Sequence, residues 1–369
     1  MRRVDAPLSI AALMIALLCA TLVWQRPAAE LRETRLVFGT LVEIAIRHAD
    51  PGEAQTALTE VGHLMQDLHR DWHAWEPGAL SRLNAELRAG RRAHVSPELA
   101  QVLAQAQYLA CTSDSRFEPA IGQLIALWGF HSDTPQGALP EPDKVAVLRG
   151  QNPRMADLTI SGSFVTTSNA AVQIDLGAFG KGAALDSVVT ALRAHGIENA
   201  VVNAGGDVNV IGTFGNRPWR VAIRDPFEWG AVASVEMRPE EALYTSGNYE
   251  RFFEEGGVRF AHILDPRTGA PVQKIVSASV LHHSGAVADA AATALSVAGP
   301  DAWAQVAADM GISHAMLITD GGRVLASPSM AARLQFENPG FQQALEVHPL
   351  PAPRDLGCAE ATAIQLSEL

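Results

Sequence analysis

The chain is poor in cysteine and in positive charge. Three cysteines occur in 369 residues, and Cys19 lies in an apolar N-terminal run. The other two, Cys111 and Cys358, allow one disulfide in an oxidising compartment but no disulfide framework. No Cys/His spacing typical of a metal site is present. Lys and Arg total 28 against 40 Asp and Glu, a net charge of -12. Residues 1–29 carry Arg2, Arg3 and Arg26 against Asp5, a net +2, so the remainder carries -14. A body this acidic lacks the basic stripe that grips phosphate backbones, which excludes nucleic acid as a partner. A nucleotide ligand would need a metal ion or a local cluster of donors. No internal repeat is visible. Hydrophobic residues make up 48% and charged residues 18%, so disorder is excluded and the length suffices for a proper core.

What the N-terminus does contain is a targeting pattern. Arg2 and Arg3 form a positive n-region, residues 8–24 are almost wholly apolar, and Ala28-Ala29 follow. Residues 1–29 therefore read as a signal peptide or a short uncleaved anchor. The arginines hold the N-terminus on the cytoplasmic side, so the body is expected to be exported and tethered to the inner membrane, on its periplasmic face. Lipidation of Cys19 is disfavoured, because Leu18 stands where a small residue is wanted and the apolar run continues beyond it.

Along the body, residues 36–46 alternate and predict a strand, and residues 53–75 have helical periodicity. Ser96-Pro97-Glu98 opens a helix to about Ala110, and residues 135–142 read as a loop. From about Asp157 short apolar strands separated by glycines take over: 172–176, 200–203, 209–211, 219–224 and 276–281. Helices are expected over 183–193 and 287–297, and a loose Pro-containing tail over 350–369. The expected class is α+β, with a helix-rich N-terminal part and a strand-rich C-terminal part sharing one core in a single domain over 30–349.

Four segments carry polar chemistry. In Val172-Gln173-Ile174-Asp175-Leu176-Gly177-Ala178-Phe179-Gly180-Lys181-Gly182, a strand runs through a Gly-rich loop into a helix. Such a loop either cradles a phosphate with its N–H groups and Lys181, or is a tight turn that needs glycine. It matches neither the Walker loop nor the dinucleotide fingerprint. Asn203-Ala204-Gly205-Gly206-Asp207 reads as a hairpin turn. Tyr244-Thr245-Ser246-Gly247-Asn248-Tyr249-Glu250-Arg251 is followed by His262-Ile263-Leu264-Asp265-Pro266-Arg267-Thr268-Gly269, where His262 is the obvious general-base candidate beside an Asp-Pro turn. In Asp289-Ala290-Ala291-Ala292-Thr293 the two oxygens share one helix face. A buried carboxylate there would need a partner, and the hard oxygen pair suits Mg²⁺; otherwise Asp289 is an exposed or capping residue.

These segments occur together and in an order that resembles the ApbE family of FAD:protein FMN transferases, over roughly residues 36–334. Asp175 to Gly182 is similar to that family's DLGxxxKG, Asn203 to Asp207 to its NxGGD, and Thr245-Ser246-Gly247 to its TSG. His262 to Gly269 is similar to HxxDPxTG, and Asp289 to Thr293 to DAxxT. The resemblance implies two lobes with one FAD, the substrate, in a groove between them. It implies Mg²⁺ held by the carbonyl of Ala178 and the side chains of Asp289 and Thr293. Lys181 and Asp175 would lie by the FAD, with Leu264 also at the cofactor and His262 as the base. The implied acceptor is a Ser or Thr hydroxyl of a redox membrane-protein subunit, flavinylated through a phosphoester with release of AMP.

The N-terminal part departs from the family pattern. Phe38-Gly39-Thr40 stands for MGT, His73-Ala74-Trp75 for a polar stretch, and Arg116-Phe117-Glu118-Pro119-Ala120 for a GxFDPT-like segment. These positions would face the isoalloxazine end, so Phe117 and Glu118 are placed at the flavin, and Phe38 and Trp75 either stack on it or are ordinary core aromatics. Two other readings compete with the transferase: an FAD pyrophosphatase using water, and a non-catalytic FAD-binding or flavin-delivery protein.

Overall fold

The computed structural model describes residues 29–48, 50–132 and 139–358. The leader and the last residues of the tail lie outside them. Among the described residues no helix is long and apolar enough to cross a membrane.

Nine strands form the central sheet: β1 (Ala29–Val37), β2 (Thr40–His48), β3 (Ala200–Ala204), β4 (Asp207–Ile211), β5 (Ala242–Gly247), β6 (Ile275–His282), β7 (His314–Thr319), β8 (Val324–Ala326) and β9 (Leu345–Val347). They lie side by side in chain order, and every pair is antiparallel except β8 with β9. The strand expected over residues 36–46 is in fact a hairpin. Val37 pairs with Thr40, and Phe38 and Gly39 between them take φ of 56° and 71°. Two successive positive φ values make the tight turn whose twist suits a hairpin.

Both faces of the sheet are covered, so its strands read as nearly continuous apolar runs. On β7, Ala315 and Leu317 enter one core while Met316 and Ile318 enter the other. The first core lies against α1 (Pro51–Trp72), α2 (Ala79–Arg88), α3 (Pro97–Thr112), α4 (Gly180–Ala194) and α5 (Gly285–Asp309). The second is closed by a three-stranded sheet of residues 219–224, 231–237 and 334–336. A third cluster, with Trp128, Phe130, Phe253 and Leu264, lies beneath the segment that carries His262. The helix-rich and strand-rich parts thus share a sheet.

Helix limits follow local chemistry. Asp50 caps α1 by accepting from the Gly52 N–H at 2.7 Å, and Ser96 caps α3. The helical run of α5 breaks at Gly299, whose φ is 74°, ahead of Pro300, which accounts for the expected end near residue 297. The Pro-containing tail is tied down. Arg354 grips Asp309 with bonds of 2.8 and 2.7 Å, and Cys358 is disulfide-bonded to Cys111 on α3, with Cα atoms 5.9 Å apart.

The closest backbone approach that concerns the site is between α4 and α5. A methyl group on Gly182 would sit 2.3 Å from the Gly285 carbonyl oxygen, and one on Gly285 would meet the Gly182 oxygen at 3.0 Å. Only hydrogen fits at that crossing. Asp186 on α4 fixes it further. Its carboxylate accepts from the Ser284 hydroxyl at 2.8 Å, the Gly285 N–H at 2.7 Å and the Ala286 N–H at 3.1 Å, which satisfies the first turn of α5. Gly182→Ala should therefore cost about 1–3 kcal/mol through overpacking. Gly150→Ala, in a helix with open space around it, should be neutral or gain a few tenths. Urea unfolding of both variants checks this, and equal stabilities would contradict the crossing.

Candidate active site

The segment before α4 is not the strand that its alternation predicts. Residues 172–176 are extended but paired by other means. Buried Asn84 holds Ile174 on both sides, donating to its carbonyl and accepting from its N–H at 2.8 Å each. The Gln173 N–H donates to Ala120 and the Asp175 N–H to Pro119, at 3.1 and 2.8 Å. Asp175 then bends the chain: one carboxylate oxygen accepts from the Gly177 N–H at 2.7 Å and the other from the Trp75 indole N–H at 2.8 Å. α4 begins at Gly180, three residues before its expected start, so Lys181 stands in its first turn. Ala178 is half-buried in the turn just before it.

Lys181 is ion-paired with Asp207. Asn203-Ala204-Gly205-Gly206 forms the expected hairpin turn, with Gly205 at φ 67°, and delivers Asp207 into the site. Asp207 also accepts from the Thr245 N–H at 3.0 Å. Burial would lower the pKa of Lys181, but Asp207 and Asp289 outweigh it and hold the amine firmly protonated. Asp289 lies on α5, 6% exposed, and accepts from the Gly182 N–H at 3.0 Å. Burial pushes its carboxyl up and Lys181 pulls it back. One turn on, the Thr293 hydroxyl lies 3.2 Å from that of Ser246 on β5. Glu250, not singled out by its motif, is a third carboxyl that senses Lys181; burial raises its pKa.

His262 sits with its Nδ1 3.1 Å from the Arg251 carbonyl oxygen. A carbonyl only accepts, so Nδ1 carries the proton and Nε2 keeps its lone pair. Burial, then the charges of Arg251 and Lys181, lower its pKa to about 4. The ring is neutral through the physiological range. Lys181, Asp207, Asp289, Glu250 and His262 therefore form one electrostatic cluster, and Thr293 adjoins it.

The flavin-side candidates divide. Phe38 is half-buried at the hairpin tip, edge-on to His69 at 5.8 Å. Trp75 is half-buried against His131 at 5.5 Å. Both remain reachable. Phe117 and Glu118 do not face a groove. Phe117 is 1% exposed and packs on Phe179, and Glu118 turns inward to accept from the N–H groups of Met155 and Ala120 at 2.8 and 3.3 Å. Their role here is to hold the segment that supports Gln173 and Asp175. The Leu264 side chain is likewise in the third core cluster, so only its backbone is available to a ligand.

The donors around Asp289 fit a hard divalent ion. They are a buried carboxylate with one backbone hydrogen bond, a neighbouring hydroxyl, and the preceding turn of backbone. Among the described residues no group of three His, Cys, Asp or Glu is placed to hold a metal alone, so a substrate or water would have to complete the shell.

A family model described as the ApbE family matches residues 38–317. An FAD:protein FMN transferase of Rhodobacter capsulatus is 51% identical over 325 residues, covering 88% of this chain; the chain spans 62% of the length of that relative. One from Vibrio cholerae is 30% identical and covers 83% of this chain and 93% of its own. Among solved structures, the ApbE protein from Thermotoga maritima matches with a TM-score of 0.76 at 28% identity, over 84% of this chain and all of that one. The flavin transferase ApbE from Vibrio cholerae gives 0.74 at 28% identity, over the same shares.

Glu118 supplies a pH test. Burial raises its pKa from 4.5 to about 7. The folded state then binds this proton more tightly than the unfolded chain. Its contribution is fully present below about pH 4.5, falls as pH rises to about 7, and is lost above that, by up to about 3 kcal/mol. Glu118→Gln should flatten that slope and unfold at higher urea at pH 8 than the parent. Unchanged unfolding at both pH 5 and pH 8 would contradict the assignment.

Proposed function

Because the chain belongs to the ApbE family, we propose that it transfers FMN from FAD to a Ser or Thr hydroxyl of a partner protein, with Mg²⁺ as cofactor. The observation that carries this reading is a buried, neutral His262 whose pKa is lowered in part by the charge of the protonated Lys181 in the first turn of α4. In the reaction, the acceptor oxygen forms a bond to the phosphorus of the FMN half. The bond from that phosphorus to the bridging oxygen breaks, and AMP leaves with both electrons of that bond. The hydroxyl proton goes to His262 Nε2. A pKa of about 4 leaves Nε2 unprotonated, and an incoming pyrophosphate would raise its proton affinity by adding negative charge beside it.

Lys181, in the first turn of α4, would stabilise the charge gathering on the phosphoryl oxygens. When Mg²⁺ is bound, held by Asp289, Thr293 and the Ala178 carbonyl, its charge would add to that of Lys181. Asp175 and Trp75 would line the FAD, with Phe38 further toward the flavin. The acceptor is read as a subunit of a redox membrane protein. The N-terminal pattern supports action outside the cytoplasm on a tether to the inner membrane, and the Cys111–Cys358 disulfide fits such an oxidising compartment.

The test is to incubate the leaderless protein with FAD, Mg²⁺ and a candidate redox membrane subunit, then look for covalent in-gel flavin fluorescence. Label on the acceptor is expected. His262→Ala should retain FAD binding and lose about 10²-fold or more of the rate, the usual size of a general-base contribution. Lys181→Met, which keeps the stem without the charge, should weaken FAD binding, transfer or both. Release of FMN and AMP with no labelled acceptor would replace the transferase by a pyrophosphatase.

A further inference from the structure

The loop of residues 225–230, between the strands 219–224 and 231–237, carries the most exposed large hydrophobic side chain described. Trp229 is 97% exposed and Phe227 50%. An indole normally buries most of its area, and leaving it in water is unfavourable. The loop backbone that carries these rings is nonetheless ordered by its own hydrogen bonds. Asp225 accepts from the N–H groups of Phe227 and Glu228 at 2.9 and 3.2 Å, and its own N–H donates to the Gly230 carbonyl at 3.0 Å. The Phe227 ring stacks on Phe341, 6.5 Å away and 9° from parallel. The Phe227 ring, held in place in this way, loses little entropy when a partner covers it.

The loop also leaves the body beside the candidate active site. Arg224, the residue before it, holds its guanidinium 5.2 Å from the centre of the Tyr249 ring. The next residue, Glu250, senses both Lys181 and Arg224. A macromolecule delivering a hydroxyl to Lys181 and His262 would pass this tip.

We propose that Phe227 and Trp229 are the docking tip for the acceptor polypeptide, receiving apolar side chains that flank its reactive hydroxyl. This inference rests on the transferase reading. A polypeptide fits better than a lipid surface because Glu228 stands between the two rings. The body carries -14 outside residues 1–29 and would be repelled by anionic headgroups.

The test uses the leaderless chain, FAD, and the soluble flavin-accepting domain of a redox membrane subunit that the parent labels. The variant is Phe227→Ser with Trp229→Ser. Trp229 is 97% exposed and Phe227 gives up only its stack on Phe341, so the thermal midpoint should fall by no more than about 2–4 °C. The expected result is a rise of about tenfold or more in KM for the acceptor, the size expected for aromatic anchors. FAD affinity and kcat at saturating acceptor should stay within about twofold. Sedimentation with vesicles of phosphatidylethanolamine and phosphatidylglycerol is run alongside. An unchanged KM overturns the docking role while leaving the transferase reading intact, and so does vesicle binding by the parent that the variant loses with KM unchanged. If the parent labels no acceptor domain, the transferase reading fails and the docking role falls with it.

Discussion

The site depends on the contact of two helices where neither has a side chain. Gly182 and Gly285 let α4 and α5 approach within a distance that no methyl group tolerates, and Asp186 locks the crossing by satisfying the start of α5. The consequences are local and chemical. Asp289, one turn into α5, comes within reach of the Gly182 N–H. Lys181, the neighbour of Gly182, is brought to Asp207 and β5. A second buried chain ties the crossing to the sheet: the Tyr244 hydroxyl donates to Asn209, which donates to Asp186, at 2.7 and 2.9 Å. Such a fully satisfied polar network in a low-dielectric interior fixes one geometry.

The electrostatics of that geometry favour a ligand. Three carboxyls, of Asp207, Asp289 and Glu250, surround one ammonium group, and His262 adds no charge because burial keeps it neutral. The excess of negative charge opposes a pyrophosphate unless a cation accompanies it. Burial, with the charges of Asp207 and Glu250 adding to it, makes Asp289 hard to ionise. With FAD as the proposed substrate, a metal ion would balance both problems together.

Much of the chemistry was legible in the sequence because it lies in short contiguous segments. The Gly-rich loop with Lys181, the hairpin glycines ahead of Asp207 and the i, i+4 pair Asp289 and Thr293 each left a structural reading open by spacing alone, and stood out as candidates only through their joint order. What stayed hidden were partners far apart in the chain. Nothing near Lys181 points to Asp207 as its counter-ion, and nothing near Ile174 points to Asn84. Residues 172–176 imitate a strand because their apolar alternation matches one, although side-chain and loop groups supply their hydrogen bonds. The β1–β2 hairpin was missed because a phenylalanine, not Asn or Asp, takes the first positive φ of its turn. Phe117 and Glu118 were placed at the flavin from their motif, yet they pack inward and support the loop instead. Trp229 gave no signal, since exposure is not written in residue type.

The central claim is that the α4–α5 crossing builds a joint site for a divalent ion and the FAD phosphates. It is tested most directly by calorimetric titration of FAD with and without Mg²⁺, on the parent and on Asp289→Asn. The account predicts positive coupling, with each ligand raising the affinity of the other by the same factor, and loss of that coupling in the variant, which keeps the shape but not the charge. FAD binding by the parent that is indifferent to Mg²⁺ and EDTA would contradict it, as would coupling that survives in Asp289→Asn.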